Sequence, residues 1–351
     1  MAGRGVKLMR RSRWHFAVAV LTLAIVGFGA STPVQALIIN PTFDSSITSL
    51  PQAQQIQSDF AKAAQAYQSA LSDSVMINIK VSWGSVGGYA MPSSALGASI
   101  DPLYGYFSYA QVKSWLKADA SSSYDTMANS SLPAISPAGN KFVLPSAEAK
   151  ALGLINPYAT AYDGYIGFGR GVNYDYTPGD GITPGYYDFT TVVAHEIDEV
   201  LGRISGLSGY SPSWATPFDL FRCSSTTGKP NFSYTAASYF SIDGCNTNLA
   251  NFNNVGSGDR SDLASGPTGT DVQDAYLYPG VVSGISASDL IGLDVIGWGG
   301  IGGVVSPNLA PSSLVFVGLA GIPDPVPEPS ALALMAVGSL ALWLARHRRQ
   351  A

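Results

Sequence analysis

The two ends of this 351-residue chain restrict the part that can fold as a globular domain to the residues between them. The first 14 residues are rich in Arg and Lys, residues 15–30 are largely apolar, and residues 33–36 end in small side chains. At the other end, Pro327, Glu328 and Pro329 precede the uncharged stretch 330–345, and a cluster of Arg residues follows it. Only the region between these ends has the length and polarity of a globular domain.

The N-terminal end has the layout of a secretory signal peptide. Its basic start, short apolar core and small residues predict that signal peptidase removes residues 1–36, with cleavage after Ala36. A retained N-terminal transmembrane helix is the alternative, although the apolar run is short for a bilayer span. Export is therefore the expected route for the rest of the chain.

The C-terminal end resembles the PEP-CTERM sorting signal, in which a Pro-Glu-Pro motif, a short transmembrane helix and a basic tail follow one another. This resemblance, over residues 326–351, implies a Gram-negative bacterium whose exosortase processes the tail. A helix over 330–345 would hold the chain in the inner membrane with its Arg cluster in the cytoplasm. An ordinary tail anchor is the alternative, but it needs no Pro-Glu-Pro. After sorting, the protein is expected in the cell envelope, at the surface or outside the cell.

Composition limits what the middle region folds into and what it binds. The chain has 46% hydrophobic and 12% charged residues, so it can bury a substantial core, while 38 Gly and 22 Pro disfavour a compact helical bundle. Eight of the 19 basic residues lie in the two ends, against Glu328 alone of the 24 acidic ones, which leaves 11 basic residues and 23 acidic ones between them. This acidic balance argues against nucleic acid as a partner, because binding phosphates requires a basic surface.

Residues 37–303 predict a single α+β domain with a mixed sheet and a loop-rich C-terminal part. The spacing of apolar residues predicts helices over 52–71, 109–118, 146–152, 188–202 and 286–296, and strands over 75–83 and 164–169. Apolar and polar residues alternate in 75–83, so this strand is expected to be half-buried. Residues 304–325 are rich in Gly, Pro and Val and predict a linker.

The two cysteines of the chain, Cys223 and Cys245, both lie in the region expected to be exported. An oxidising compartment favours a disulfide between them. A metal site built on the two cysteines is the alternative, but their spacing matches no zinc ribbon or finger.

One predicted helix concentrates the residues that carry chemistry. His195 is the only histidine between the two ends, and two of the four Glu residues of the chain, Glu196 and Glu199, lie within four residues of it. His195 and Glu199 are one helical turn apart and therefore share a face. Two ligands at this spacing, with a Glu beside the first, are typical of a zinc-peptidase helix in which that Glu is the general base. An exposed acidic helix end with a stray histidine is the alternative.

Residues 194–202 are similar to the active-site helix of zincin metallopeptidases, in particular the metzincin-like ones. With segments 174–182 and 217–222, they resemble PEP-CTERM-linked bacterial metalloproteases over most of residues 50–298. The resemblance implies a zincin-like metalloprotease domain whose edge strand aligns a protein or peptide substrate. It implies an exported zinc-dependent endopeptidase in which His195 and Glu199 bind Zn²⁺ and Glu196 is the catalytic base. Glu199 stands where these enzymes have a second His, so slow or specialised hydrolysis is expected.

The third zinc ligand is the least defined part of this prediction. In the metzincin pattern it falls at Ser205, which is a poor zinc donor. Asp219 is the candidate instead, because other zincins use an acidic ligand from farther along the chain. A salt bridge from Asp219 to Arg222 or Arg203 is the alternative.

Two further sites and two further functions remain open at the level of sequence. Asn173, Asp175 and Asp180 offer oxygen donors for Ca²⁺, with a plain turn as the alternative. Tyr210 and Tyr234 are candidates for stabilising an oxyanion. Instead of an endopeptidase, the domain could be a catalytically inactive zincin-fold surface or extracellular-matrix protein with a binding role, or a metal-binding module of another kind.

Overall fold

The structure is a computed structural model that describes residues 37–136, 141–176, 181–207, 214–254, 258–265 and 270–300, together with the backbone of 326–327. The expected signal peptide 1–36, the linker 304–325 and the apolar stretch 330–345 lie outside these residues. Within the described part of the chain, no helix is long and apolar enough to cross a bilayer.

Helices and short strands follow one another in mixed order, which confirms the α+β prediction. The helices are α1 (Ser45–Thr48), α2 (Ala53–Ala70), α3 (Tyr109–Asp119), α4 (Ser123–Ser131), α5 (Ser146–Ala151), α6 (Phe189–Val200) and α7 (Ala287–Asp294), with a 3-10 turn at Phe218–Phe221. The strands are β1 (Ile38–Phe43), β2 (Met76–Trp83), β3 (Ser85–Val86), β4 (Tyr89–Ala90), β5 (Gly97–Ile100), β6 (Leu103–Phe107), β7 (Phe142–Pro145), β8 (Gly164–Phe168), β9 (Tyr174–Asp175), β10 (Tyr187–Asp188), β11 (Arg222–Ser224), β12 (Ser238–Phe240), β13 (Ala250–Asn251), β14 (Tyr276–Leu277) and β15 (Val326–Pro327).

The main sheet is mixed and has the strand order β1-β2-β8-β5. β1 and β2 are parallel, as are β2 and β8, whereas β5 runs antiparallel to β8. The connection from β1 to β2 passes through α1 and α2, since parallel neighbours need a crossover. β5 forms one edge of this sheet and packs against α6. The sheet therefore brings an edge strand to the helix that carries His195.

β2 is more buried than the half-buried strand that its alternation predicts. Ile77, Ile79 and Val81 on one face are fully buried, whereas on the opposite face Asn78 and Ser82 are only 6% and 4% exposed and Met76 and Lys80 are half-buried. Asn78 is tolerated there because its Nδ2 donates to the Ala159 carbonyl at 2.9 Å. Strands inside a parallel arrangement are usually covered on both faces, and β2 lies between β1 and β8.

An aromatic cluster fixes the start of α6 against the main sheet. The ring of Phe189 lies with its centroid 4.6 Å from that of Phe168, 5.2 Å from Tyr174 and 6.3 Å from Trp83. Farther along α6, the Tyr67 hydroxyl of α2 donates to the Ala194 carbonyl at 2.9 Å. These contacts fix the position of α6 against the main sheet and α2.

The C-terminal part is loop-rich and contains a small sheet of order β11-β12-β13. Cys223 in β11 is bonded to Cys245, with Cα atoms 5.6 Å apart, so the expected disulfide is present. The bridge ties β11 to the loop between β12 and β13.

Candidate metal centre

The helix α6 begins and ends where its sequence predicts. The Asp188 carboxylate accepts from the Thr190 and Thr191 amides at 3.1 and 3.2 Å, which caps the start of the helix. Gly202 follows its end with φ of +118°, a conformation that is open almost only to glycine. Nearly every residue of α6 is buried. The alternative of an exposed acidic helix end is therefore excluded.

His195 is a neutral imidazole with one nitrogen available. Its Nδ1 lies 2.7 Å from the Val272 carbonyl, which can only accept, so Nδ1 carries the proton and donates. Burial lowers the pKa of His195 to about 4, although the Val272 bond opposes this shift. Nε2 therefore presents a lone pair, and a carbonyl behind Nδ1 is the usual support of a histidine that ligates a metal.

Glu199 lies next to that lone pair. Its Oε1 is 3.8 Å from His195 Nε2, and its Oε2 accepts from the Ser99 hydroxyl of β5 at 2.8 Å. Burial raises the pKa of Glu199 well above its usual value, and the carboxylates of Asp262, Asp259 and Asp101 raise it further. One atom each from His195, Glu196 and Glu199 lies within 4.8 Å of the others, which brings together three of the predicted site residues.

Glu196 lies against the backbone of β5. A Cβ atom built on Gly97 would be 2.2 Å from Glu196 Oε1, so only a glycine leaves room for this carboxylate. Glu196 is 1% exposed, like His195, and Glu199 is 4% exposed. The edge strand thus holds both acidic residues of the motif, with Gly97 beside Glu196 and Ser99 bonded to Glu199.

Asp262 is a residue of the site that the sequence analysis missed. Its Oδ1 lies 4.0 Å from His195 Nε2, and the residue is fully buried. Asp262 lies in a loop far along the chain from α6, and no sequence motif links this loop to the helix. The short acidic segment with Asp259 and Asp262 is the only sequence feature that points to Asp262 as a site residue.

Asp219, the predicted third ligand, has other contacts. Its carboxylate accepts from the Ser205 hydroxyl at 2.5 Å and from the Gly206 and Thr216 amides at 2.9 Å each. The structure does not bring it into the group of His195, Glu196 and Glu199. These bonds join the turn after α6 to the segment before β11, so Asp219 stabilises the local fold.

The other candidate residues make contacts of other kinds or lie outside the described chain. Asp175 Oδ2 accepts from both the amide and the hydroxyl of Thr183, at 2.7 and 2.6 Å, and so closes its loop. The guanidinium of Arg260 lies 5.2 Å from the ring centre of Tyr234. Asp180 and Tyr210 are outside the described residues.

A buried polar network supports His195 from behind. Gln273 Nε2 donates to the His195 carbonyl at 3.1 Å, and its Oε1 accepts from Arg203 Nη1 at 2.6 Å. Arg203 also lies 3.7 Å from Asp198 and 3.6 Å from Asp289 of α7. The network connects α6, α7 and the segment that carries Val272, and it holds the imidazole ring in one orientation.

The C-terminal end is the part of the chain that matches a known family. Residues 325–349 match the PEP-CTERM protein-sorting motif, which confirms the sorting signal expected from Pro327, Glu328 and Pro329. No curated protein matches the chain, and no solved structure matches it. The motif implies recognition by an exosortase and sorting of an exported protein to the envelope or surface of a Gram-negative bacterium. The chain therefore has a buried group of His195, Glu196 and Glu199 in its folded domain and a PEP-CTERM sorting signal at its C-terminal end.

Proposed function

We propose that the exported domain is a zinc-dependent endopeptidase with a zincin-like fold. The observation that carries the proposal is the environment of His195 Nε2, whose lone pair lies 3.8 Å from a Glu199 carboxylate oxygen. The mixed sheet supports it, because its antiparallel edge strand β5 packs against α6. In a zincin-like domain such an edge strand aligns the substrate.

The donor atoms fit a zinc ion. Zinc bonds to histidine nitrogen and carboxylate oxygen are about 2.0 to 2.2 Å long, so two ligands lie about 3.4 Å apart at the tetrahedral angle and at most about 4.2 Å apart on opposite sides of the ion. The 3.8 Å between Nε2 and Oε1 lies between these two values, and it is too long for a hydrogen bond. The residues present therefore suit a shared cation better than a direct contact.

When bound, zinc would polarise a water molecule and the scissile carbonyl, less strongly than in an all-histidine centre because Glu199 is anionic. Glu196 accepts a proton from the attacking water and delivers it to the leaving amine. Gly97 fixes the position of the Glu196 carboxylate. As the edge strand of the main sheet, β5 would align an extended peptide beside it, and this alignment would bring a peptide bond alongside Glu196.

A metal-stabilised binding protein without catalytic activity is the second candidate function. The observation that favours it is burial, since His195, Glu196 and Glu199 are each less than 5% exposed. A substrate reaches these side chains only if the groups that cover them move. A metal held in such a place would stabilise the fold and leave the surface to bind a partner.

The test is proteolysis by the full-length chain, purified in detergent and loaded with zinc, against a denatured protein. We expect cleavage by the unmodified chain, and a loss of 10²-fold or more in Glu196→Gln with zinc retained, as is typical for removal of a general base. Glu148→Gln is the matched control. Burial raises the pKa of Glu148 well above its usual value, so an amide at this position changes the charge less than it would at an exposed carboxylate.

Two outcomes would contradict the endopeptidase. If the zinc-loaded chain cleaves nothing, the binding protein becomes the better account. If Glu196→Gln cleaves as fast as the unmodified chain, the catalytic base lies elsewhere.

A further inference from the structure

Asp262 is held at the centre by contacts on both sides of its loop. The Asn253 amide donates to the Asp262 carbonyl at 2.8 Å, and the Leu263 amide donates to the Gln273 carbonyl at 2.7 Å. Gln273 also bonds to the His195 carbonyl, so the loop, the segment behind the imidazole and α6 are fixed together. The position of the Asp262 side chain is therefore set by the same network that orients His195.

The distance from Asp262 to His195 is close to that of two ligands of one ion. Oδ1 lies 4.0 Å from Nε2, which is beyond hydrogen-bond range and about 0.6 Å longer than the spacing of about 3.4 Å between tetrahedral ligands of one zinc ion. Glu199 Oε1 lies 3.8 Å from the same nitrogen. Asp262 is not in the group whose donor atoms all lie within 4.8 Å of one another, so a bound ion would draw the Asp262 and Glu199 side chains closer together.

The charges around this lone pair call for a cation. Nδ1 donates to Val272, so Nε2 has no proton to offer to Asp262 or Glu199. The charge of Arg203 acts on Asp262, but the carboxylates nearest to Arg203 are those of Asp198 and Asp289, at 3.7 and 3.6 Å. A divalent cation beside Nε2 would give both Asp262 and Glu199 an opposite charge at bonding distance.

We propose that Asp262 is the third protein ligand of the metal, so that one histidine and two carboxylates hold it. This inference rests on the proposed metal centre but not on its catalytic activity. It is compatible with Glu196 as the base and with Asp219 as the residue that holds the turn after α6. Three protein ligands with a fourth position for water are the composition of a catalytic zinc site.

The test is zinc affinity, measured on the full-length chain by competition with a chromophoric chelator. Loss of a supporting residue weakens metal binding by about 10- to 100-fold, so loss of a ligand in Asp262→Asn should weaken it by about 100-fold or more. We expect Asp219→Asn and Glu196→Gln to stay within about tenfold of the unmodified chain. Asp101→Asn removes a neighbouring buried carboxylate and controls for charge alone.

A second variant separates ligation from folding. Asp262→His supplies a different zinc donor, so it should bind zinc more tightly than Asp262→Asn does. Thermal melting without metal checks that each variant folds, and only Asp262→Asn should lose the rise in melting temperature that zinc causes.

Three results would overturn the ligand assignment. Equal zinc affinity in Asp262→Asn and the unmodified chain would remove Asp262, and a large loss in Glu196→Gln without one in Asp262→Asn would make Glu196 the third ligand. An unmodified chain that takes up no zinc would remove the centre altogether. Zinc binding that depends on Asp262 in a chain that cleaves nothing would keep the ligand assignment and refute the endopeptidase alone.

Discussion

The contact between Gly97 and Glu196 provides a quantitative prediction about catalysis. In Gly97→Ala, the new methyl group would lie 2.2 Å from Glu196 Oε1 and 2.8 Å from its Cδ. Ordinary contacts begin at 3.4 Å, so the carboxylate must move by about 1 Å. A misplacement of about 1 Å in a catalytic site can cost about 10²-fold in rate. We therefore expect kcat/KM to fall about 100-fold, which corresponds to about 2.7 kcal/mol of transition-state stabilisation.

The assay is cleavage of a denatured protein by the zinc-loaded variant, with zinc content measured in parallel. Zinc should be retained, because Glu196 is assigned as the base and not as a ligand. Gly299→Ala is the matched control, since its methyl group would meet its nearest neighbour, Ser72 Oγ, at an ordinary 3.5 Å. Activity of Gly97→Ala equal to that of the control would refute the role of Glu196. Loss of zinc together with activity would make Glu196 a ligand.

Three further predictions concern stability. Replacing Cys223 and Cys245 by Ser opens a loop with a sequence separation of 22, so denaturant unfolding should show a loss of about 3 kcal/mol; a loss below about 1 kcal/mol would contradict this. Gly202→Ala places a Cβ at φ +118°, so the free energy of unfolding should fall by about 1–3 kcal/mol and the melting temperature with it; unchanged melting would contradict the strain. Burial raises the pKa of Asp294 from 3.8 to about 7, so the folded state binds more protons than the unfolded state between these values, and stability falls as pH rises through this window. Asp294→Asn should reduce that fall by up to about 1.4 kcal/mol per pH unit; an unchanged slope of unfolding free energy against pH would contradict it.

Local sequence signals predict the elements of this fold well. The helix α6 combines a capping Asp188, apolar residues at helical spacing and a terminal Gly202, and these signals act within a few residues of each other. All predicted helices and strands are present, with ends that differ by at most two residues. The pairing of Cys223 with Cys245 also follows from the sequence, because the chain offers no other cysteine.

Contacts between distant parts of the chain are what the sequence does not reveal. β5 reads Gly-Ala-Ser-Ile, which lacks the alternation of a strand, yet Gly97 and Ser99 define the space around the motif. β2 shows the alternation of a half-buried strand, yet Asn78 and Ser82 on its polar face are buried, because burial depends on which elements lie beside a strand.

Some of the candidate ligands are predicted by local sequence, and one is revealed only by the tertiary fold. His195, Glu196 and Glu199 come together because helical spacing places them on adjacent positions of α6. Asp219 is nearer to them in sequence than Asp262 is, yet its carboxylate is bonded to Ser205 and two backbone amides. Asp262 reaches His195 through a loop whose path depends on the tertiary fold.

The zinc stoichiometry of the full-length chain tests the central claim most directly. Metal analysis after reconstitution and removal of loosely bound ions should find one zinc per chain. His195→Ala should bind none, because His195 is the only histidine in the described part of the chain. A chain that retains no zinc, or a His195→Ala variant that retains as much as the unmodified chain, would contradict the metal centre.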